Sequence, residues 1–135
     1  MANTMMDFTN TWYNELNCAQ SVLLGGCEAL GLSVPPEVRN AFGPFGGGLC
    51  CGESCGALCG ALGVLGMLTQ CDNLHANPEA KAAADAMIAA FSARFGAMRC
   101  ADLKPRYATP ERRCSAVVEG TAELLEALCA SYKRP

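Results

Sequence analysis

Charged residues are scarce in this sequence, and there is no excess of positive charge to attract nucleic acid. Only 17% of the 135 residues are charged, against about 25% in typical soluble domains. The 10 basic and 13 acidic residues leave a net charge of −3, which provides no field to draw phosphate backbones or anionic lipid. Nucleic acid is therefore excluded as an expected partner. The weakly charged surface instead favours contact with another protein, and a homodimer would cover it.

Histidine is almost absent, which excludes the common hydrolytic mechanisms. The single histidine, His75, lies in the polar segment 71–77. No spacing in the sequence supports a Ser-His-Asp or Cys-His arrangement for nucleophilic catalysis. The sequence shows no catalytic machinery beyond its cysteines, so whether the protein is an enzyme, as a component of an oxidoreductase, stays open.

Targeting signals and membrane-spanning runs are also missing. The first twenty residues contain no basic residue, so neither a secretory signal nor a transit peptide is recognisable. The longest apolar stretch, residues 56–69, has 14 residues, whereas a helix needs about 20 to span a bilayer. We therefore expect a cytoplasmic protein that does not enter a membrane.

Cysteine is the residue that the sequence has in excess, with ten. The reducing cytosol disfavours disulfides, so a cysteine-rich cytoplasmic chain is expected to bind metal or to perform redox chemistry. A free cysteine also packs as a small apolar residue, and several of the ten are expected to do only that. The local signatures of zinc ribbons, covalent haem and compact ferredoxins are absent, so any metal ligands must come from helices far apart in the sequence.

The pattern of apolar residues predicts an all-α fold, because helical periodicity recurs and strand-like alternation is nowhere sustained. A first helix is predicted over residues 3–24, ended by Gly25-Gly26. A short helical turn is predicted over residues 35–41, where two prolines open it. The glycine-rich segment 43–48 is predicted to be a loop that brings backbone close to another part of the molecule.

Three longer segments complete the predicted fold. Residues 49–70 are apolar nearly all round and rich in Gly, Ala and Cys, which is typical of a helix buried at the centre of a bundle. Asn77-Pro78-Glu79 starts a helix to about residue 95, and Thr109-Pro110-Glu111 starts a last helix ending near residue 132. Residues 99–108 are predicted to be an irregular link. The expected architecture is a compact bundle of about four main helices plus short turns, forming a single redox or metal-binding domain over residues 1–135.

One group of cysteines is regularly spaced. Cys51, Cys55 and Cys59 follow one another at four-residue steps, which on a helix would place them along one face about 5–6 Å apart. Thiolates select zinc, copper(I) and iron–sulfur clusters, so this ladder supports a copper(I)- or zinc-binding protein as one hypothesis. A thiol–disulfide redox protein without metal is another. Spacing alone does not identify which four cysteines converge.

Five segments together follow the pattern of a known family. They are Asn17-Cys18-Ala19-Gln20-Ser21-Val22, Phe45-Gly46-Gly47-Gly48, the segment from Cys55 to Leu62, the segment from Phe95 to Leu103, and Cys114 with Val117-Val118. In this order they resemble the C_GCAxxG_C_C family of redox-active proteins, which is named for its own motif. The resemblance implies that the motif cysteines are Cys18, Cys55, Cys100 and Cys114.

The central motif departs from the family pattern at two positions. Gly56 separates Cys55 from Ala57, and Cys59 replaces the commoner non-cysteine residue. Cys51 and Cys59 are therefore secondary candidates for the central thiolate.

A domain of this family is similar to the cluster-binding part of split-Soret cytochromes, where it is associated with an iron–sulfur centre. The resemblance therefore implies a 2Fe–2S or 4Fe–4S cluster held by Cys18, Cys55, Cys100 and Cys114. Electron transfer or redox sensing with a redox protein partner is the function it implies. The haem half is not implied, because its attachment motif is absent here.

The remaining unusual features are interpreted as structural. The adjacent residues Cys50 and Cys51 are expected to pack rather than to act as a redox couple, because neighbouring cysteines are awkward to bridge. The basic residues concentrated late in the chain are interpreted as solvated helix ends rather than as a cationic face. They are Arg94, Arg99, Lys104, Arg106, Arg112 and Arg113.

Overall fold

The computed structural model describes residues 3–132, and these residues form seven α-helices. The helices are α1 Met5–Tyr13, α2 Cys18–Leu30, α3 Pro36–Ala41, α4 Gly56–Leu68, α5 Pro78–Phe95, α6 Cys100–Tyr107 and α7 Ser115–Cys129. Extended pairing in this part of the chain is limited to two isolated bridges, Ser54 with Arg99 and Thr109 with Arg113. The predicted all-α class is therefore confirmed. None of the helices described is long and apolar enough to cross a membrane.

The core forms where α2 packs against α4. Ala57, Ala61 and Val64 of α4 are fully buried, as are Val22 and Leu23 of α2. Helices α5 and α7 complete the core with the buried side chains of Met87, Phe91, Val118 and Leu125. The predicted central helix, buried and rich in small residues, is confirmed.

The glycine at position 60 lets α2 and α4 approach closely. A Cβ atom there would lie 2.4 Å from the carbonyl oxygen of Ala19 and 3.1 Å from Cβ of Val22. We expect Gly60→Ala to lower the free energy of unfolding by about 1–3 kcal/mol, because the two helices would have to move apart.

The control for this prediction is Gly66→Ala on the same helix, where a Cβ would meet no atom within 4 Å. We expect this change to raise the free energy of unfolding by up to about 1 kcal/mol, because alanine favours the helix more than glycine does. Denaturant unfolding of both variants measures the difference. Equal effects at the two positions would contradict the close approach at Gly60.

The predicted first helix is in fact two helices, α1 and α2. The chain leaves the helical conformation before Asn17, which caps α2 by accepting a hydrogen bond from the Gln20 amide at 2.9 Å. The glycines expected to end this helix lie inside α2 instead. A Cβ on Gly25 would be 2.5 Å from Cα of Thr9, so glycine is needed where α1 folds back against α2.

The central helix is shorter than predicted. It begins at Gly56 rather than at residue 49, because Leu49 and Cys50 have left-handed backbone angles with φ of 58° and 60°. The segment 48–52 forms a wide turn instead of the first part of the helix. The apolar pattern that predicted a helix from residue 49 did not indicate the left-handed backbone of this turn.

Two further boundaries differ from the prediction. Residues 99–108 were predicted to be irregular, but they contain α6, with Pro105 inside it. The segment that starts at Thr109 is a tight turn rather than the start of α7, and the backbones of Thr109 and Arg113 exchange hydrogen bonds of 2.9 and 2.8 Å. Helices α3 and α5 lie where they were predicted.

Candidate metal centre

Four cysteines from four different helical segments line one cavity, which has a volume of about 390 Å³. They are Cys18, Cys55, Cys100 and Cys114. Cys55 and Cys100 are only 7% and 8% exposed, and the other two are half-buried. The fold therefore brings together all four cysteines that the family resemblance implies, although they are spread over most of the chain.

Each of these cysteines lies at the N-terminus of a helix. Cys18 and Cys100 are the first residues of α2 and α6, and Cys55 and Cys114 are the N-cap residues of α4 and α7. A helix N-terminus carries a partial positive charge, since its first amides have no partner within the helix. The four helix ends therefore favour negative charge in the cavity. The sequence did not reveal this shared position, because α2, α4 and α7 begin at residues other than those predicted and the segment of α6 was predicted to be irregular.

The backbones of Cys55 and Cys100 are held together by an antiparallel pairing. Both residues follow the isolated bridge described above. The Cys55 amide donates a hydrogen bond to the Met98 carbonyl at 2.8 Å, and the Cys100 amide donates one to the Glu53 carbonyl at 2.7 Å. These two bonds set the spacing between two thiols that are distant in the sequence.

Two glycines leave room beside the thiols. A Cβ on Gly56 would lie 2.4 Å from Sγ of Cys18, and one on Gly48 would lie 2.5 Å from Cβ of Cys100. Gly48 also has a φ of 66°, a conformation that other residues adopt only with strain. The glycine-rich loop therefore brings backbone close to another part of the chain, as predicted, and that part is the wall of the cysteine cavity.

Three side chains that sequence analysis did not select also line the cavity: Tyr13, Lys104 and Arg113. The Tyr13 hydroxyl accepts a hydrogen bond from the Cys114 amide at 3.2 Å. The Arg113 guanidinium lies 3.9 Å from the centre of the Tyr13 ring and donates to the Tyr13 carbonyl. Both cations are exposed to solvent, as predicted, but they also border the cavity. A signal was present, since Arg113 directly precedes Cys114 and Lys104 follows Cys100 by one helical turn.

Burial favours the protonated form of the cavity thiols. It raises the pKa of Cys55 to about 12, although the amides in the first turn of α4 act in the opposite direction. Burial likewise raises the pKa of Cys100 and Cys114, and the charge of Lys104 opposes the rise at both. A metal that binds these sulfurs must displace their protons, so binding would weaken at low pH.

The secondary candidates are placed differently. Cys51 is exposed and lies outside α4, so Cys51, Cys55 and Cys59 do not share a helical face, and the predicted ladder is wrong. Cys59 is half-buried in the first part of α4, and burial raises its pKa. Within residues 3–132, no three His, Cys, Asp or Glu side chains lie close enough together to hold a single metal ion.

Comparison with known proteins identifies the family of this chain. The family described as "Putative redox-active protein (C_GCAxxG_C_C)" matches residues 16–128, a range that includes all four cavity cysteines. No curated protein and no solved structure matches the chain. Because the family match covers far more than half of the 135 residues, the protein belongs to the C_GCAxxG_C_C family.

Proposed function

We propose that this protein holds an iron–sulfur cluster, of the 2Fe–2S or 4Fe–4S type, on Cys18, Cys55, Cys100 and Cys114. We further propose that the cluster serves electron transfer or redox sensing with a redox protein partner. The observation that carries this proposal is the convergence of four thiols on one cavity of about 390 Å³. Both cluster types are held by four cysteine thiolates. The volume lies in the range of about 300–1,000 Å³ that is common for bound groups of several atoms.

The surroundings of the thiols suit a buried, negatively charged group. Besides the cysteines, the wall includes the apolar side chains of Ala57, Leu103, Val117 and Val118. Such a wall limits access of water, which is one of the factors that tune a cluster's reduction potential. The four helix N-termini, together with Lys104 and Arg113, offset the negative charge that thiolates bring.

The residues of the chain would hold and tune the bound group rather than react themselves. When bound, the cluster supplies one-electron redox chemistry. The backbone hydrogen bonds from the Cys55 amide to Met98 and from the Cys100 amide to Glu53 set the spacing of two ligands. The Tyr13 hydroxyl accepts a hydrogen bond from the Cys114 amide and so holds its backbone. Such preorganisation lowers the ordering cost of binding.

Anaerobic purification and reconstitution with iron and sulfide tests the proposal. Iron, zinc, copper and acid-labile sulfide are then quantified, and absorption is recorded before and after reduction. We expect iron and sulfide in matching amounts and visible absorption that bleaches on reduction. Zinc or copper(I) without labile sulfide would contradict the cluster and favour a metal-binding protein that uses the same thiols.

A protein without metal after reconstitution would also contradict the cluster and would favour thiol–disulfide chemistry. Such chemistry normally relies on a thiol of lowered pKa. Burial instead raises the pKa of Cys55, Cys59, Cys100 and Cys114. These thiols therefore give this alternative no support.

Lys104 is expected to raise the reduction potential of the centre. Its charge acts on both Cys100 and Cys114, and the reduced cluster carries one more negative charge than the oxidised cluster. Removing the cation in Lys104→Gln should therefore lower the potential by tens of millivolts, where about 59 mV corresponds to a tenfold change for a one-electron couple. The difference should shrink at high ionic strength, because Lys104 is exposed.

The control for this measurement is Lys81→Gln, which removes an exposed lysine paired with Asp85 on α5. Potentiometric titration followed by absorption compares both variants with the wild type. A shift of the same size in both variants would show that Lys104 acts only through the net charge of the protein.

A further inference from the structure

Four residues in the wall of the cysteine cavity are exposed to solvent: Gly47, Lys104, Ala108 and Arg113. We call these four residues the mouth of the cavity. The rest of the wall is buried or half-buried. The charges of Lys104 and Arg113 both act on the thiol of Cys114, so the two cations lie at the same end of the cavity. A protein that exchanges an electron with a group in the cavity would approach that group most closely at the mouth.

The mouth is positively charged. It holds the cations Lys104 and Arg113, and no carboxylate lines the cavity within residues 3–132. Neither cation forms an ion pair in this part of the chain, and Arg113 donates to the Tyr13 carbonyl instead. The ion pairs of the described residues use other cations, namely Lys81, Arg94, Arg99 and Arg112. Because the whole chain has a net charge of −3, the mouth is a local exception to the charge of the protein.

Small and apolar side chains accompany the two cations. Gly47 and Ala108 are too small to hold a partner away from the cavity. The turn that follows Gly47 carries Leu49, which is 41% exposed and is one of two large apolar side chains exposed in the part of the chain described. The same turn exposes Cys50 and Cys51, so the prediction that this pair packs was wrong. Apolar residues beside charged ones are typical of protein interfaces.

We propose that the redox partner docks on the mouth of the cavity and that it presents an acidic surface, an assignment that rests on the proposed function. Complementary charges steer two proteins together and orient them, and they act on the association rate more than on affinity. In the docked complex one electron passes between the cluster and the partner's redox group. The donor is oxidised by one electron and the acceptor is reduced by one, and no bond forms or breaks.

Two electron acceptors of opposite charge test the chemistry of the partner. The reduced protein is mixed with plastocyanin, which is acidic, or with cytochrome c, which is basic, and oxidation is followed by stopped-flow absorption at several ionic strengths. We expect the rate with plastocyanin to fall as salt is added and the rate with cytochrome c to rise, since salt screens attraction and repulsion alike. The net charge of −3 by itself predicts the opposite signs. A rate with plastocyanin that rises or stays constant would overturn the proposal.

Charge reversal at the mouth provides the matched variants. Lys104→Glu is combined with Arg113→Glu, and the control combines Lys81→Glu with Arg94→Glu, which makes the same change of charge on α5 outside the cavity. We expect the mouth variant to lower the rate with plastocyanin relative to that with cytochrome c at least about tenfold at low ionic strength. The ratio is compared because a changed cluster potential affects both acceptors alike. An equal ratio in the two double variants would contradict docking at the mouth.

Alkylation of the reduced, metal-free protein separates this proposal from the proposed cluster. Iodoacetate is anionic, whereas iodoacetamide is neutral and similar in size, and with both a thiolate forms an S–C bond and iodide leaves. Peptide mass spectrometry measures the rates at Cys114 and at Cys71, a half-buried cysteine outside the cavity. We expect the ratio of the iodoacetate rate to the iodoacetamide rate to be several-fold higher at Cys114, and this excess to disappear in the mouth variant.

The outcomes of the alkylation experiment are distinct. A ratio at Cys114 no higher than at Cys71 would overturn the positively charged mouth even in a protein that holds a cluster. A protein that lacks iron but keeps the excess would overturn the proposed cluster and leave the charge of the mouth supported. Sedimentation tests a different occupant, because a wild-type dimer that the mouth variant abolishes would place a second copy of the chain on the mouth and contradict an acidic redox partner.

Discussion

Iron and acid-labile sulfide should fall at least about tenfold when serine replaces any one of Cys18, Cys55, Cys100 and Cys114. Loss of one thiolate leaves a cluster iron without a ligand, and changes even to residues around a metal typically cost about 10–100-fold in affinity. The serine hydroxyl would have to ionise in a largely apolar cavity, which is unfavourable. Metal analysis, sulfide analysis and absorption of the four reconstituted variants measure the effect.

Cys59→Ser and Cys51→Ser are the matched controls, because these residues are the secondary candidates for the central ligand. Cys59 lies one turn further along α4, and Cys51 lies at the surface. Both variants should keep their iron and sulfide. If Cys59→Ser lost the cluster while Cys55→Ser kept it, the assignment of the central thiolate would be wrong.

Gly48→Ala is expected to damage both the fold and the site. Its Cβ would lie 2.5 Å from Cβ of Cys100 and 2.5 Å from the carbonyl oxygen of Glu53, the same oxygen that accepts the Cys100 amide. The backbone pairing that positions Cys100 would have to shift. We expect a loss of most reconstituted iron, together with a decrease in the free energy of unfolding.

Gly47→Ala separates this clash from the cost of backbone conformation. Gly47 and Gly48 have φ of 68° and 66°, so alanine at either position meets the same left-handed backbone cost of about 1–2 kcal/mol. A Cβ on Gly47, however, would meet no atom within 4 Å. Gly48→Ala should therefore be less stable than Gly47→Ala by a further 1–3 kcal/mol or so, the usual cost of overpacking. Equal stability and equal iron content of the two variants would contradict a role for close packing at Gly48.

The sequence predicts correctly the elements whose signals are local. Helix α5 begins at Pro78, directly after its N-cap Asn77, and ends before Gly96, and both signals act within one turn of the helix. The burial of α4 follows from its small and apolar residues, since such a helix has no polar face to turn toward water. These signals need no information from the rest of the chain.

The predictions from the sequence were wrong where a contact with a distant part of the chain determines the conformation of a local segment. Gly25 and Gly26 normally weaken a helix, but here they lie within α2, and Gly25 gives α1 the room to pack. The wide turn at residues 48–52 replaces part of a predicted helix, because Gly48 and Gly52 pack against Cys100 and Ala101. The residues that directly follow the turn form the backbone pairing with the segment that carries Cys100. The local propensity of a segment allows several conformations, and tertiary packing determines which of them the folded protein adopts.

The candidate site likewise has features that the sequence determined and features that only the tertiary structure decided. The sequence by itself determined the family, because the order and identity of residues are sufficient for that comparison. The four motif cysteines are what the resemblance to that family implies. Only the tertiary structure decided that Cys18, Cys55, Cys100 and Cys114 line one cavity, each at a helix N-terminus. The physical reason is that apolar periodicity determines which face of a helix is buried, whereas the points at which helix ends meet depend on how those faces pack together.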